Sequence, residues 1–221
     1  MSVTGILLVA GNSTRFAKGS NKNLEQINGK YILEYSLKKI IDNALIDDIV
    51  IAIKKEEEIL VANIIKKYIE KPIKLVQGGK TRQESVYNCI TKTNANIVII
   101  HDGARPVIKQ DYINKCIKTM EQYDGATIAV KSKDTIKISD DNGVVINTTE
   151  RKNTWLVQTP QCFKRDILIE AHEKFKNNET ITDDCMLLEL MEKKIKLIEG
   201  DYTNIKITTP DDVSLVKQFL S

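Results

Sequence analysis

Short apolar runs alternate with stretches of helical period along most of this chain. Residues 4–9 form the first run and read as a buried strand. Over 31–43, Ile32, Tyr35, Ser36, Lys39 and Ile40 recur at helical spacing, and Leu33, Leu37 and Ile41 widen the apolar side. The pattern then predicts a strand over 48–53, a helix over 56–68 and a strand over 73–76 that runs into Gly78-Gly79. A helix over 83–90, a strongly apolar strand over 96–100, a helix over 110–122 and a strand over 126–130 follow. Strands separated by helical crossovers predict an α/β fold, a mostly parallel sheet with helices on both faces. Ligands of such sheets bind beyond the carboxyl ends of the strands. The loops after the first, third and fourth strands read AGNSTR, GGKTR and HDGARP. They are also the loops with the least ordinary chemistry, which points to one shared site.

The alternation breaks after residue 130. Residues 135–138 and 144–148, around the polar turn Asp140-Asp141-Asn142-Gly143, read as a β-hairpin. Its apolar side must be covered either by the rest of the chain or by a second subunit, and spacing leaves both open. Beyond it come Arg151, Trp155 and Gln158-Thr159-Pro160-Gln161, then helices over 164–176 and 183–191 with Thr182 as the expected cap of the second. A strand over 196–199 and an extended run over 204–208 lead to a last helix opening at Thr209-Pro210. No linker or repeat interrupts the pattern. The expectation is a single domain over 1–221 with an inserted arm at about 133–154.

Composition narrows the function classes. The net charge is +3, and no Lys/Arg block with interleaved aromatics occurs, so no nucleic-acid partner is expected. No apolar run reaches membrane-spanning length, and the first residues carry no secretory pattern, so no membrane partner is expected and the cytoplasm is the expected location. Cys89, Cys116, Cys162 and Cys185 are widely spaced and read as buried, reduced thiols. With His101 and His172 as the two histidines, a zinc site has little to build on.

The first loop carries two cations, Arg15 and Lys22, after a run of small residues. A strand that empties into such a loop can turn successive N–H groups toward an anion, and the cations add the charge a polyphosphate needs. The plainer alternative is a turn with two solvated cations. Neither a Walker A nor a G-x-G-x-x-G pattern is present, so kinase and dinucleotide readings lose their marker. Gly78-Gly79 allows close backbone approach to a base or sugar, or is a plain turn. Asp102 can accept substrate hydroxyls, bind a metal or pair with Arg105. His101 reads as a packed, hydrogen-bonded ring. Lys206 alternates with Ile205 and Ile207, as a solvent-facing lysine would, and capping is a sufficient explanation for Asp183 and Asp184.

Seven fragments, AGNSTR with Lys22, GGKTRQESV, HDGARP, KDT, R-x-x-x-W-x-x-QTPQCF, TDDC and NIKITTPDD, stand in order across nearly the whole chain. This arrangement resembles the methylerythritol phosphate cytidylyltransferases (4-diphosphocytidyl-2-C-methylerythritol synthases), whose scaffold the ribitol-5-phosphate cytidylyltransferases share. The resemblance implies a Rossmann-like nucleotidyltransferase fold and a homodimer joined by the hairpin arm. It implies a magnesium-dependent reaction of CTP with a polyol phosphate that releases pyrophosphate. By position, Leu8, Val9, Ala10 and Gly11 would line the nucleotide, and Gly78, Gly79, Arg82 and Ser85 would hold its cytosine and ribose. Arg15 and Lys22 would stabilise charge on the triphosphate. Asp102, Arg105, Thr135 and Thr182 would touch the polyol phosphate, and Arg151 and Lys206 would position it, Arg151 from the partner's arm. No metal ligand is assigned. The first loop departs from the family's A-G-G-x-G-x-R-M, with Asn12 standing where a glycine is usual. Trp155 and Ser85-Val86 favour the methylerythritol branch, with ribitol phosphate and a non-catalytic nucleotide-binding protein as the alternatives.

Overall fold

The computed structural model describes residues 1–11, 13, 16 and 21–220. Among these, seven strands form one sheet in the order β11-β7-β10-β6-β1-β4-β5. They are β1 (Val3–Leu8), β4 (Asp48–Ile53), β5 (Ile73–Gln77), β6 (Ile97–Asp102), β7 (Gly125–Lys131), β10 (Trp155–Lys164) and β11 (Ile195–Glu199). All run parallel except β10, which pairs antiparallel with β6 and β7.

The near-continuous apolar strands bury both faces, and their period of two decides which helices each residue meets. Leu7, Ile49, Ile51, Ile53, Ile97 and Ile99 share one core with residues of α1 (Ile32–Ile41), α2 (Glu58–Ile65) and α4 (Gln110–Thr119). Ile6, Val50, Ala52, Val98, Ile100 and Phe163 face the other way, against α3 (Arg82–Ile90), α5 (Arg165–Lys174) and α6 (Asp184–Glu189). A smaller cluster of Ile27, Ile32, Ala104, Ile207 and Val216 seats α7 (Pro210–Lys217) beside the end of β6.

The sheet reverses its winding at β1. The chain adds β4 and β5 on one side of it and then places β6 on the other, so Leu8 and Asp102 stand opposite each other at the carboxyl ends of β1 and β6. That crevice is where an open α/β sheet accommodates a ligand.

One sequence expectation changes, the cap of α6, and the structure adds detail where the sequence reading assigned no element. The 158–161 segment lies inside β10, a ten-residue strand inserted antiparallel between β6 and β7. A small hairpin joins β2 (Gln26–Ile27) to β3 (Lys30–Tyr31), turning at Asn28 and Gly29 with φ of 51° and 75°. Both central residues are left-handed, as a type I′ turn requires. Residues 204–208 pair into no strand. Asp183, not Thr182, caps α6 by accepting the Met186 N–H at 3.0 Å.

The arm is a separate two-stranded ribbon, β8 (Lys137–Ser139) with β9 (Val145–Thr148). Its apolar residues Ile138, Val144, Val145 and Ile146 are all exposed, Ile146 by 67%. The four cysteines are buried free thiols, and burial pushes the Cys89 thiol up to about 12. Among the described residues no helix is long and apolar enough to cross a membrane.

Candidate active site

The three loops converge. Backbone bonds continue the ladder past the strand ends, from Val9 N–H to Ala52 O (2.9 Å), Gly103 N–H to Leu8 O (3.0 Å) and Gly78 N–H to Ile53 O (2.8 Å). They fan the loops out around a cavity of about 260 Å³. Leu8, Ala10, Gly11 and Lys22 line it from the first loop, Gly79, Arg82 and Ser85 from the second, and Asp102 and Lys206 close it. Gly78 shows how tightly the loops meet, since a Cβ there would lie 2.4 Å from the Ala10 Cβ.

Not every expected residue arrives there. Val9 is fully buried and outside the cavity lining. Its N–H is used by Ala52, and its carbonyl accepts from Asn21 Nδ2 at 2.7 Å and Asn23 Nδ2 at 3.3 Å, so its backbone groups are not available to a nucleotide. The Ser85 hydroxyl accepts the Gly79 N–H at 3.0 Å and donates to Thr81 O at 2.9 Å, so it shapes the glycine loop as well as lining the cavity. Among the described residues of the first loop, Ser13 is left-handed, φ 50°. Asn12 and Arg15 lie outside the described residues.

Asp102 is the electrostatic centre. Its buried carboxylate faces Lys206 Nζ at 2.7 Å, Arg82 Nε at 3.7 Å and Arg105 Nε at 3.8 Å. Burial alone would raise its pKa, but attraction to Lys206, then Arg82 and Arg105, holds it far below the usual carboxylate range. Lys206 is therefore no simple surface lysine. The segment that carries it is anchored by Asn204, whose Nδ2 donates to Gln158 Oε1 and Thr159 O, both at 2.9 Å, and by Ile207 N–H to Ala104 O at 2.8 Å.

Beneath Asp102, His101 is packed as its sequence setting suggests. Its Nε2 donates to Arg105 O at 3.1 Å and its Nδ1 accepts from the Thr159 hydroxyl at 2.9 Å, a tautomer assigned from the network. The same hydroxyl accepts the Asp102 N–H at 3.1 Å. Burial depresses the imidazole to about 4, so the ring is neutral and occupied at both nitrogens. It supports Asp102 and is not placed to act as a base.

A second cavity of about 720 Å³ adjoins the first and shares Arg82, Asp102 and Lys206 with it. Arg105, Thr159, Gln161 and Thr182 line it. Arg105 Nε and Gln161 Oε1 have no hydrogen-bond partner there, leaving a donor and an acceptor buried in its wall. Gln161 was legible only as part of the QTPQCF fragment. Thr135 and Arg151 are bonded to each other at 2.7 Å on the exposed arm and line neither cavity of their own chain.

Two adjoining cavities, one wrapped by a small-residue loop and a glycine loop and the other bearing hydroxyl-matching groups, suit a nucleotide and a polyol. The family model for IspD, 2-C-methyl-D-erythritol 4-phosphate cytidylyltransferase, matches residues 3–221. This chain belongs to that family. The IspD-family chain is 41% identical over 225 residues to the 2-C-methyl-D-erythritol 4-phosphate cytidylyltransferase of Caldanaerobacter subterraneus subsp. tengcongensis, covering 100% of this chain and 99% of the relative. The enzyme of that name from Clostridium botulinum is 42% identical over 219 residues, covering 97% and 96%. The crystal structure of 4-diphosphocytidyl-2C-methyl-D-erythritol synthase from Anaerococcus prevotii superposes with a TM-score of 0.89 at 30% identity, over 99% of this chain and 96% of that one. The Francisella tularensis IspD structure gives 0.83 at 30% identity, over 99% and 100%. The protein is thus an enzyme, a nucleotidyltransferase of the IspD family with a Rossmann-like α/β fold.

Proposed function

We propose that this IspD-family enzyme joins CTP to 2-C-methyl-D-erythritol 4-phosphate, giving 4-diphosphocytidyl-2-C-methyl-D-erythritol and pyrophosphate. The observation that carries the reading is the wall of Arg82, Asp102 and Lys206 shared by two cavities, which lets two substrates meet edge to edge. The nucleotide takes the smaller cavity, with Leu8, Ala10 and Gly11 along its phosphates and Gly78, Gly79, Arg82 and Ser85 around cytosine and ribose. The polyol takes the larger one, against Asp102, Arg105 and Thr182.

An oxygen of the acceptor phosphate attacks the α-phosphorus of CTP. A new P–O bond forms, the bond to the β-phosphate bridging oxygen breaks, and pyrophosphate leaves with that electron pair. The nucleophile is already an anion, so no general base is needed, in keeping with the neutral, fully bonded His101. The barrier lies in bringing a phosphate dianion to a polyanion. Arg15 and Lys22 offset charge on the triphosphate, and Lys206 orients the acceptor phosphate, by fixed electrostatics and positioning.

A divalent ion such as Mg²⁺ would supply further charge neutralisation on the nucleotide. Among the described residues no group of three His, Cys, Asp or Glu side chains is placed to hold one, and Asp102 is taken by three cations. Mg²⁺ usually needs only one or two carboxylates beside substrate phosphates and keeps several waters, so the phosphates of the bound nucleotide would supply most of its coordination here.

Activity requires a homodimer in this reading. The exposed apolar arm needs a covering partner, and Thr135 and Arg151 would serve the partner's second cavity. The chain acts as one catalytic domain over 1–221, with the arm at about 133–154, on soluble phosphates in the cytoplasm.

Lys22→Ala tests the site. Turnover should fall at least about a hundredfold, matching the roughly 2.7–4 kcal/mol lost with one transition-state donor, while the circular dichroism spectrum stays unchanged. Near-normal turnover would remove Lys22 from the reaction.

A further inference from the structure

Asp184 has no place in the roles above, yet it is 1% exposed and carries a charge. Capping does not explain it, because Asp183 caps α6. Its carboxylate points inward. Oδ2 meets Arg82 NH1 at 2.6 Å and Oδ1 meets His172 Nε2 at 3.1 Å. His172 is as buried as Asp184, and its Nδ1 has no partner. The ring is therefore held by Asp184 and by a tilted contact with the Tyr87 ring, centroids 6.0 Å apart.

Arg82 is the group that this assembly addresses. It is the first residue of α3, where the helix dipole disfavours a cation. It nevertheless borders both cavities, between two buried carboxylates. The contact with Asp184 is short and direct, whereas Asp102 stands at 3.7 Å and gives its close contact to Lys206. Attraction to Asp184 and then Asp102 overcomes the burial that would otherwise lower the Arg82 pKa. Without the charge on Asp184, the guanidinium would turn to Asp102 and compete there with Lys206. A buried ion pair adds little net stability over an apolar packing of the same volume, so stability alone is a weak reason for one here.

We propose that Asp184, oriented by His172, is a positioning residue that holds the Arg82 guanidinium at the partition between the nucleotide and polyol cavities. It acts through Arg82 and touches neither substrate. The inference rests on the cytidylyltransferase reading for what fills the cavities, and on the Asp184–Arg82–Asp102 geometry for the rest.

Asp184→Asn keeps the shape and removes the charge. We expect the KM for CTP to rise at least tenfold, kcat to change less than threefold, and CTP affinity measured by calorimetry to weaken in step. His172→Gln keeps a donor near the Nε2 position and should hold CTP affinity within threefold of the parent. His172→Leu removes that donor and should shift affinity in the direction of Asp184→Asn. Unchanged KM and CTP affinity in Asp184→Asn, with only a lower melting temperature or a smaller active fraction, would overturn the proposal. So would equal behaviour of His172→Gln and His172→Leu, a comparison that decides the matter even if Asp184→Asn fails to fold. A parent enzyme that binds CTP but releases no pyrophosphate with methylerythritol phosphate would overturn the reaction assignment, while the calorimetric comparison would still judge the clamp.

Discussion

Asp102 illustrates why charge at this site is set by neighbours and not by residue type. Two carboxylates, Asp102 and Asp184, against Lys206, Arg82 and Arg105 still leave one net positive charge where two phosphates are proposed to meet. Lys206→Ala should lower kcat/KM by about a hundredfold, the scale of one lost charge-stabilising donor, with the acceptor phosphate rather than CTP showing the larger KM change in steady-state assays. His101 makes a separate prediction about stability. The folded ring titrates near 4 and the unfolded one near 6.5, so between these values the unfolded chain binds the extra proton. Stability should therefore rise with pH across that window and fall as pH drops from 6.5 toward 4, by about 3 kcal/mol in full. Denaturant midpoints measured from pH 4 to 7 check the sign, and His101→Gln should flatten the slope. The sequence made Lys22 and Asp102 legible as a cation and a carboxylate in unusual loops, and Lys206 only through the NIKITTPDD fragment. It did not reveal that Val9 would spend its backbone on Asn21 and Asn23, or that Asp184 would turn inward while Asp183 took the cap. Those outcomes depend on contacts across long chain separations, which spacing does not encode.

The elements explain how three sequence-distant loops reach one cavity. β6, β1, β4 and β5 are adjacent in that order and parallel, so the carboxyl ends of β1, β5 and β6 deliver the three loops to one side of the sheet, and the glycine loop after β5 closes on the first loop through Gly78. Gly78→Ala would place a methyl 2.4 Å from the Ala10 Cβ and force the loops apart. Overpacking of this kind costs about 1–3 kcal/mol, and a lowered melting temperature together with weaker CTP binding is the expected result. The parallel strands and their helices were legible because period-two and period-3.6 patterns are strong in buried strands and amphipathic helices. β10 was not, because Thr159, Pro160 and the two glutamines break the apolar run where the strand also shifts register against β7, between Val157 and Gln161. Asn28-Gly29 carried a usable signal for the β2–β3 hairpin, since that pair favours left-handed turns. The arm was legible as a hairpin, and its exposed Val145 and Ile146 are what a partner would cover. If the arm joins the proposed homodimer, Ile146→Asp should yield monomer in sedimentation and lower activity in parallel, with Arg151→Ala lowering activity alone.

At the scale of the whole molecule, fold and family agree. The family model spans residues 3–221, and solved relatives superpose over nearly the full chain. The Arg82–Asp102–Lys206 wall is proposed to bring CTP and a branched polyol phosphate into one reaction. The measurement that tests it most directly is pyrophosphate release with CTP and Mg²⁺, run in parallel with methylerythritol 4-phosphate and ribitol 5-phosphate as acceptors. Rapid release is expected with the first and at most a trace with the second, with 4-diphosphocytidyl-2-C-methyl-D-erythritol as the product. Release with ribitol 5-phosphate alone, or none with either acceptor while CTP binds, would contradict it.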